Sequence, residues 1–209
     1  MSELLRKIAI IDVGLGNIAS IQRMLQKAGA QSILARKPDD LIRAEKVILP
    51  GVGHFNEGMK LLHMSGFAPV LERLIRSENI QVMGICLGMQ MLCRSSDEGA
   101  APGMGLIDAD VRKFQFPESF KLQIPHMGWN IVSSAKVNAL LPPCEEEQRF
   151  YFVHSYKVVP DDPLISIGTA EYGGEFCAAF QKGNVFGVQF HPEKSHRFGM
   201  ELMRRFIEL

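Results

Sequence analysis

The sequence has no excess of charge of either sign. Its 23 Lys and Arg residues balance its 23 Asp and Glu residues. A disordered chain needs high net charge and few apolar residues, whereas 46% of this chain is hydrophobic. A protein that binds nucleic acid through its bulk charge needs a surplus of Lys and Arg. The composition therefore excludes both classes and predicts no nucleic-acid partner, although a local basic patch stays open.

The sequence also lacks long apolar runs and paired cysteine motifs. Its first apolar run, residues 8–11, is too short for a signal peptide. No window approaches the ~18 apolar residues of a membrane helix. The four cysteines, at positions 86, 93, 144 and 177, show no C-x-x-C spacing, which argues against a zinc knuckle or a thioredoxin motif. We therefore expect a cytoplasmic protein with reduced cysteines, no membrane partner and no metal site.

Apolar periodicity predicts one α/β domain that covers residues 1–209. The length of 209 residues suits a single domain. Strands are predicted at 7–12, 32–35, 46–49 and 80–85, and they alternate with helices near 18–28, 67–75 and 87–94. This alternation is typical of parallel βαβ units. Aromatic or alternating strands at 150–153, 165–171, 176–181 and 185–190 predict an antiparallel extension, which ends in a helix near 198–207.

A cysteine lies between glycines in the stretch Gly84-Ile85-Cys86-Leu87-Gly88, where a predicted strand meets a predicted helix. This is the cysteine form of the nucleophile elbow, a strained turn whose neighbours must lack bulk. A helix that begins at Leu87 favours a thiolate, and the N–H of Leu87 could donate to an oxyanion. A buried structural cysteine is the alternative. The strand–turn–helix context favours the nucleophile.

A thiol nucleophile needs a base, and the base needs a group that orients it. An apolar strand ends in His191-Pro192-Glu193. Residues at i and i+2 of an extended backbone face the same side, so His191 and Glu193 can reach one site. The carboxylate would then hold the imidazole tautomer. Taken alone, this tripeptide fits a surface histidine beside a glutamate better.

Two glycine-rich turns follow other predicted strands. Residues 50–53 (Pro-Gly-Val-Gly) can turn backbone amides toward a ligand, or form an ordinary turn, and they lack the Lys-Ser/Thr of a P-loop. Residues 14–19 match the G-x-G-x-x-A pattern of dinucleotide-binding proteins. The acidic residue expected about 20 positions later is missing, and Arg36 stands there. A nicotinamide oxidoreductase is therefore a weak alternative to a tight turn with Asn17 near a helix N-terminus.

The turn at 50–53, the elbow and the segment 189–193 (Gln-Phe-His-Pro-Glu) together resemble a class I glutamine amidotransferase. Residues 125–130 (Pro-His-Met-Gly-Trp-Asn) and 151–156 (Tyr-Phe-Val-His-Ser-Tyr) are similar to the glutaminase subunits of imidazole glycerol phosphate synthase. The resemblance covers essentially the whole chain. It implies a mainly parallel central sheet, flanked by helices, with an antiparallel β extension. One departure is Val13, which stands where the family usually has Tyr, at a position that is not catalytic.

The resemblance implies a role for each matching residue and needs no cofactor. Cys86 would attack the side-chain amide of glutamine, His191 would transfer the proton, and Glu193 would orient His191. N–H groups of Leu87 and of the turn formed by Gly51, Val52 and Gly53 would hold the oxyanion. The positions that match the glutamine-binding residues are Gly53, Gln90, His154, Ser155 and Tyr156.

The resemblance also implies a heterodimer with a (β/α)8-barrel cyclase subunit. That partner takes up the ammonia and makes imidazole glycerol phosphate and an aminoimidazole carboxamide ribotide. Trp129, Tyr151 and Lys194 match positions at or near the interface, whereas their spacing alone suggests two core aromatics and a solvated charge. A tunnel would keep the ammonia neutral. We expect the glutaminase to stay idle until the partner is loaded.

The motifs leave three other functions open. A paralogous glutaminase could supply ammonia for the amidation of a surface-polysaccharide sugar. A cysteine peptidase could use the same elbow, although such enzymes usually lack the His-Pro-Glu ending. A non-catalytic binding module would keep its biological activity after Cys86→Ala.

Overall fold

The computed structural model describes residues 7–77 and 80–209. The strands are β1 (Lys7–Ile11), β2 (Gln31–Ala35), β3 (Lys46–Gly51), β4 (Gln81–Cys86), β5 (Ser95–Ser96), β6 (Ala109–Lys113), β7 (His126–Ser134), β8 (Gln148–His154), β9 (Tyr156–Pro160), β10 (Ser166–Glu171), β11 (Glu175–Lys182) and β12 (Val185–Val188). The helices are α1 (Ile18–Lys27), α2 (Phe55–Met64), α3 (Phe67–Ser77), α4 (Leu87–Met91) and α5 (His196–Glu208). Short 3₁₀ turns lie between several of these elements.

The sheet joins a parallel half to an antiparallel half. The parallel half has the strand order β2-β1-β3-β4-β12. It continues through antiparallel β11, β10, β7 and β8, and β9 and β6 branch off beside β11. The predicted parallel sheet with an antiparallel extension is therefore confirmed.

The parallel strands are apolar throughout because both of their faces are covered. On β1, Ile8 and Ile10 pack toward one apolar cluster, which includes residues of α1 and α5, while Ala9 and Ile11 pack toward a second, which includes residues of α2 and α3. Helices therefore cover each face of the sheet. In the described residues, no helix has the length and hydropathy to cross a membrane.

Several elements differ from the sequence-based expectation. The sequence did not predict helix α2 or strands β6, β7 and β9. Helix α4 ends at Met91 rather than near residue 94, and β12 ends at Val188 rather than at residue 190. The hairpin between β11 and β12 is confirmed, and its turn contains Gly183 with a φ of +58°.

Candidate active site

The elbow at Cys86 joins β4 to α4 through a strained backbone conformation. Cys86 has a φ of +54°, a region that side-chain-bearing residues rarely occupy and that often marks functional sites. A Cβ on Gly84 would lie 2.6 Å from the Met89 amide nitrogen, and one on Gly88 would lie 1.8 Å from the Leu49 carbonyl oxygen. Both glycines are therefore required sterically, as the sequence predicted. Helix α4 has only five residues, so its dipole is shorter than expected.

His191 and Glu193 meet in a buried pair. His191 Nδ1 lies 2.8 Å from Glu193 Oε1, and both side chains are 2% exposed. The predicted contact is present, but the extended backbone predicted for it is not. Residues Pro192–Lys194 form a 3₁₀ turn, and this turn folds the carboxylate back onto the imidazole.

Asn17 is a further member of this cluster that sequence reasoning missed. Its Nδ2 donates to Glu193 Oε1 at 2.9 Å, and its side chain makes no capping bond to α1. Gly16, next to it, has a φ of +116°, and a Cβ there would lie 3.0 Å from the Pro50 side chain. Gly16 therefore lets the segment after β1 approach Pro50 of β3, beside the point where Asn17 contacts the carboxylate.

One backbone bond and the hydroxyl of Ser195 hold the His191 turn against β8. The His191 N–H donates to the Tyr151 carbonyl at 2.9 Å. The Ser195 hydroxyl donates to the His191 carbonyl at 2.6 Å and accepts from the Tyr151 N–H at 3.0 Å. Ser195 is fully buried. The imidazole is thus attached to the strand that ends in His154.

The electrostatics of the pair favour a charged imidazole. Burial lowers the pKa of His191, but its interactions with Cys86 and Glu193 outweigh burial and raise that pKa well above its ordinary value. Burial raises the pKa of Glu193, and the interactions with His191 and Asn17 reverse this and lower it. Because Glu193 occupies Nδ1, Nε2 is the ring nitrogen left for Cys86, and within the described chain it makes no hydrogen bond.

A cavity of about 280 Å³ opens over the cysteine. It is lined by Val52, Gly53, Cys86, Leu87, Gln90, Glu98, Pro125, Val153, His154, Ser155, Tyr156 and His191. The cavity thus brings together the predicted nucleophile, the base, every predicted glutamine-binding position and three of the four predicted oxyanion residues. The fourth, Gly51, pairs directly with Cys86 across β3 and β4.

Glu98 is an acidic lining residue that sequence reasoning missed. Its Oε2 accepts the Phe55 N–H at the start of α2, at 2.8 Å. No sequence motif predicts a role for Glu98. Its side chain contacts α2, a helix that the sequence did not predict. Among the described residues that line the cavity, Glu98 is the only one with a carboxylate.

The three predicted interface residues form a separate cluster outside the cavity. Trp129 and Tyr151 are paired across β7 and β8 with ring centroids 6.2 Å apart, and Lys194 Nζ lies 5.5 Å from the Tyr151 ring. His196 stacks on Trp129 at 5.3 Å. Trp129 is 49% exposed, so the core placement suggested by its spacing is wrong.

The sequence also raised a weak dinucleotide site, and it predicted no metal site. Arg36, the residue considered for a 2′-phosphate, forms an ion pair with Asp12 at 3.3 Å. Within residues 7–77 and 80–209, no group of three or more His, Cys, Asp or Glu side chains is placed to hold a metal ion.

Sequence comparison places the chain among glutamine amidotransferases. The family profile described as "Glutamine amidotransferase class-I" matches residues 9–209. "Imidazole glycerol phosphate synthase subunit HisH 2" of Pseudomonas aeruginosa is 48% identical over 202 residues, which cover 97% of this chain and 99% of that protein. The protein of the same name from Methanococcus maripaludis is 47% identical over 96% of this chain and 98% of its own length.

Solved structures agree at the level of the fold. PurLQS from Thermotoga maritima has a TM-score of 0.75 at 19% identity and covers 98% of this chain and 99% of its own. A glutamine amidotransferase from the same organism has a TM-score of 0.62 at 21% identity, over 99% of this chain and 82% of its own. The chain therefore belongs to the class-I glutamine amidotransferases, in the family of the HisH subunits of imidazole glycerol phosphate synthase.

Proposed function

We propose that this chain hydrolyses glutamine to glutamate and ammonia, with Cys86 as the nucleophile. The observation that carries the proposal is the strained elbow of Cys86, which opens into the same cavity as His191, itself held by Glu193. The thiolate attacks the side-chain amide carbon. The C–N bond then breaks, and the nitrogen takes a proton from His191 and leaves as ammonia. Water loses a proton to His191, attacks the thioester, and releases glutamate and the thiol.

The rest of the cavity supports the binding of an amino acid. The N–H of Leu87 and the turn at Gly51, Val52 and Gly53 lie beside the nucleophile, where charge develops on the amide oxygen. Glu98 supplies a negative charge for the α-ammonium group of glutamine. Gln90 and the backbone of 154–156 supply polar groups for the rest of the substrate.

We propose further that the ammonia passes to a (β/α)8-barrel cyclase subunit, with which the chain forms a heterodimer, for imidazole glycerol phosphate synthesis. The names of the similar relatives, each a synthase subunit, support a partner. The exposed Trp129, with Tyr151 and Lys194 beside it, is the surface that we assign to it, because exposed aromatics are enriched at interfaces. A free thiol at Cys86 requires reducing surroundings, so we place the reaction in the cytoplasm.

Affinity labelling tests the nucleophile and its dependence on the partner. The chain is incubated with diazo-oxo-norleucine, with and without the cyclase barrel loaded with its nucleotide, and the modified cysteine is found by peptide mapping. We expect label on Cys86, and faster labelling when the loaded barrel is present. Cys86→Ala should block labelling, while Cys144→Ala, which removes an exposed cysteine, should leave it unchanged. No labelling under either condition would overturn the glutaminase assignment.

Glutamine hydrolysis, measured with and without the same loaded barrel, separates the two ammonia acceptors. If the loaded barrel does not accelerate glutamine hydrolysis, the ammonia goes elsewhere, and the polysaccharide-linked alternative becomes the better assignment. The names of the similar relatives favour the histidine pathway.

A further inference from the structure

Gln189 is a buried polar residue that the proposed mechanism does not use. It follows β12 and is fully inaccessible to solvent. Its backbone N–H donates to the Ala178 carbonyl at 2.8 Å. Its side-chain Nε2 lies 3.7 Å from the Cys86 sulfur, and its Oε1 accepts a hydrogen bond from Gln90 Nε2 at 3.0 Å. One amide therefore bridges the nucleophile and a neighbouring glutamine.

The orientation of this amide follows from its neighbours. Gln90 Nε2 contacts two oxygens, Gln189 Oε1 and the Tyr156 carbonyl, the second at 3.3 Å. A carbonyl oxygen only accepts, so the Gln90 atom that faces Tyr156 must be the NH₂ group. Gln189 must then turn its oxygen toward Gln90 and its NH₂ toward Cys86. The sulfur consequently faces the N–H donor of Gln189, and it also lies 3.9 Å from the Val153 carbonyl, an acceptor.

A second chain of bonds anchors the Tyr156 carbonyl. His154 Nδ1 lies 2.7 Å from that carbonyl, so it must carry the proton, and His154 Nε2 must accept from His126 Nδ1 at 2.9 Å. His126 Nε2 then accepts from Asn130 Nδ2 at 3.2 Å. Burial lowers the pKa of His154 to about 3 and that of His126 to about 4, so both rings are neutral at neutral pH. The bond directions along the chain therefore persist.

We propose that Gln189 is a positioning residue for the nucleophile, whose Nε2–H holds the Cys86 sulfur in place and stabilises its thiolate. The elbow fixes the backbone of Cys86. The Val153 carbonyl can accept a hydrogen bond from the protonated thiol, whereas the thiolate needs a donor, which Gln189 supplies. Gln90 and the chain that runs from Tyr156 to Asn130 keep the Gln189 amide in the donating orientation. This inference rests on the proposed function, which makes Cys86 the reacting group.

The test measures the reactivity of Cys86 without glutamine. The full chain is alkylated with iodoacetamide over a range of pH, and each cysteine is followed by peptide mapping, with exposed Cys144 as the internal reference. In Gln189→Met, we expect the pH of half-maximal alkylation of Cys86 to rise by about 1–2 units, the effect of one hydrogen bond to a charged group. The kcat of glutamine hydrolysis should fall at least about tenfold, with a similar KM.

Two further variants keep the test decisive. Gln148→Met is the matched control, because Gln148 is a buried glutamine on β8 whose Nε2 donates to the Pro142 carbonyl; its alkylation profile should equal that of the unmodified chain. Gln189→Glu preserves the size of the side chain and the acceptor for Gln90, and its charge should shift the profile upward at least as far. Unchanged profiles in folded Gln189→Met and Gln189→Glu would overturn the positioning role. Failure of diazo-oxo-norleucine to label the unmodified chain would instead overturn the proposed function. The alkylation profiles would still test the effect of Gln189 on Cys86, because they are measured without glutamine.

Discussion

Protonation of buried histidines should make this protein sensitive to mild acid, and His154 provides the clearest case. Its side chain is 6% exposed, and burial lowers its pKa to about 3. In the unfolded chain a histidine binds its proton near pH ~6.5. Below that pH the unfolded state therefore takes up a proton that the folded state does not. Stability is lost as the pH falls, and the loss grows until the pH approaches the folded pKa.

The size of this loss of stability follows from the difference between the pKa of His154 in the unfolded chain and in the folded protein. At pH ~5 the medium is about 1.5 units below the unfolded pKa and still well above the folded one, so His154 alone should cost about 2 kcal/mol of unfolding free energy. His126 acts in the same direction, since burial lowers its pKa to about 4. His191 acts oppositely, because its raised pKa adds stability that is complete below pH ~6.5 and is lost as the pH rises. Stability should therefore be greatest near neutral pH and fall on the acid side.

Urea unfolding of the unmodified chain and of His154→Phe at pH ~7.5 and ~5 measures this contribution. At pH ~7.5 the variant should be less stable by about 1–3 kcal/mol, because the substitution leaves buried partners of His154 unpaired. This loss does not depend on pH, so it cancels when the stability of each protein at pH ~5 is compared with its own stability at pH ~7.5. Between the two pH values, the variant should lose about 2 kcal/mol less than the unmodified chain. Equal losses in both proteins would refute the claim that His154 is buried in its neutral form.

Three other substitutions test the elbow, the cluster around Glu193 and the proposed interface. Gly88→Ala would place a Cβ 1.8 Å from the Leu49 carbonyl oxygen. The melting temperature and the rate at which diazo-oxo-norleucine labels Cys86 should therefore both drop. Values equal to those of the unmodified chain would contradict the steric account of the elbow. Asn17→Leu removes the 2.9 Å bond to Glu193 and should lower the kcat of glutamine hydrolysis about 10–100-fold. An unchanged kcat in the folded variant would exclude a role for Asn17. Trp129→Ala, at a half-exposed site, should leave the free energy of unfolding nearly unchanged. It should weaken binding to the cyclase subunit about 30-fold, as measured by titration calorimetry. Undiminished affinity would place the interface elsewhere.

The features that the sequence predicted best are those governed by local sterics. Gly84 and Gly88 flank Cys86 within five residues, and their need follows from the tight turn alone. The contact between His191 and Glu193 was also predicted, but for the wrong reason. Two side chains separated by one residue can meet either across an extended strand or around a 3₁₀ turn, and the sequence does not choose between these geometries. Pro192 suits the first position of such a turn as well as a strand exit.

The features that the sequence missed depend on contacts between distant segments. Helix α2 contains Gly58, a poor helix former. A Cβ there would lie 2.7 Å from Met91 Sδ, so the glycine allows close packing against α4, which local propensity does not reveal. Glu98 reaches the cavity only because α2 presents the Phe55 N–H to it. The stretch at 14–19 was misleading for a related reason. Its Gly16 permits a close approach to Pro50, which local spacing cannot distinguish from an approach to a dinucleotide.

The strand order explains why these separate segments form one site. β1, β3, β4 and β12 are adjacent and parallel, so their carboxyl ends meet at one edge of the sheet. The segments that follow these ends carry Asn17, the turn at 51–53, Cys86 and His191. Ligands of open α/β sheets bind outside such ends. Asn17 and Glu193 are 176 residues apart in the chain, yet they share a hydrogen bond because only two strands separate β1 from β12. Apolar periodicity predicts that these strands exist, but it does not predict their order in the sheet. That order brings Asn17 to the cluster of His191 and Glu193.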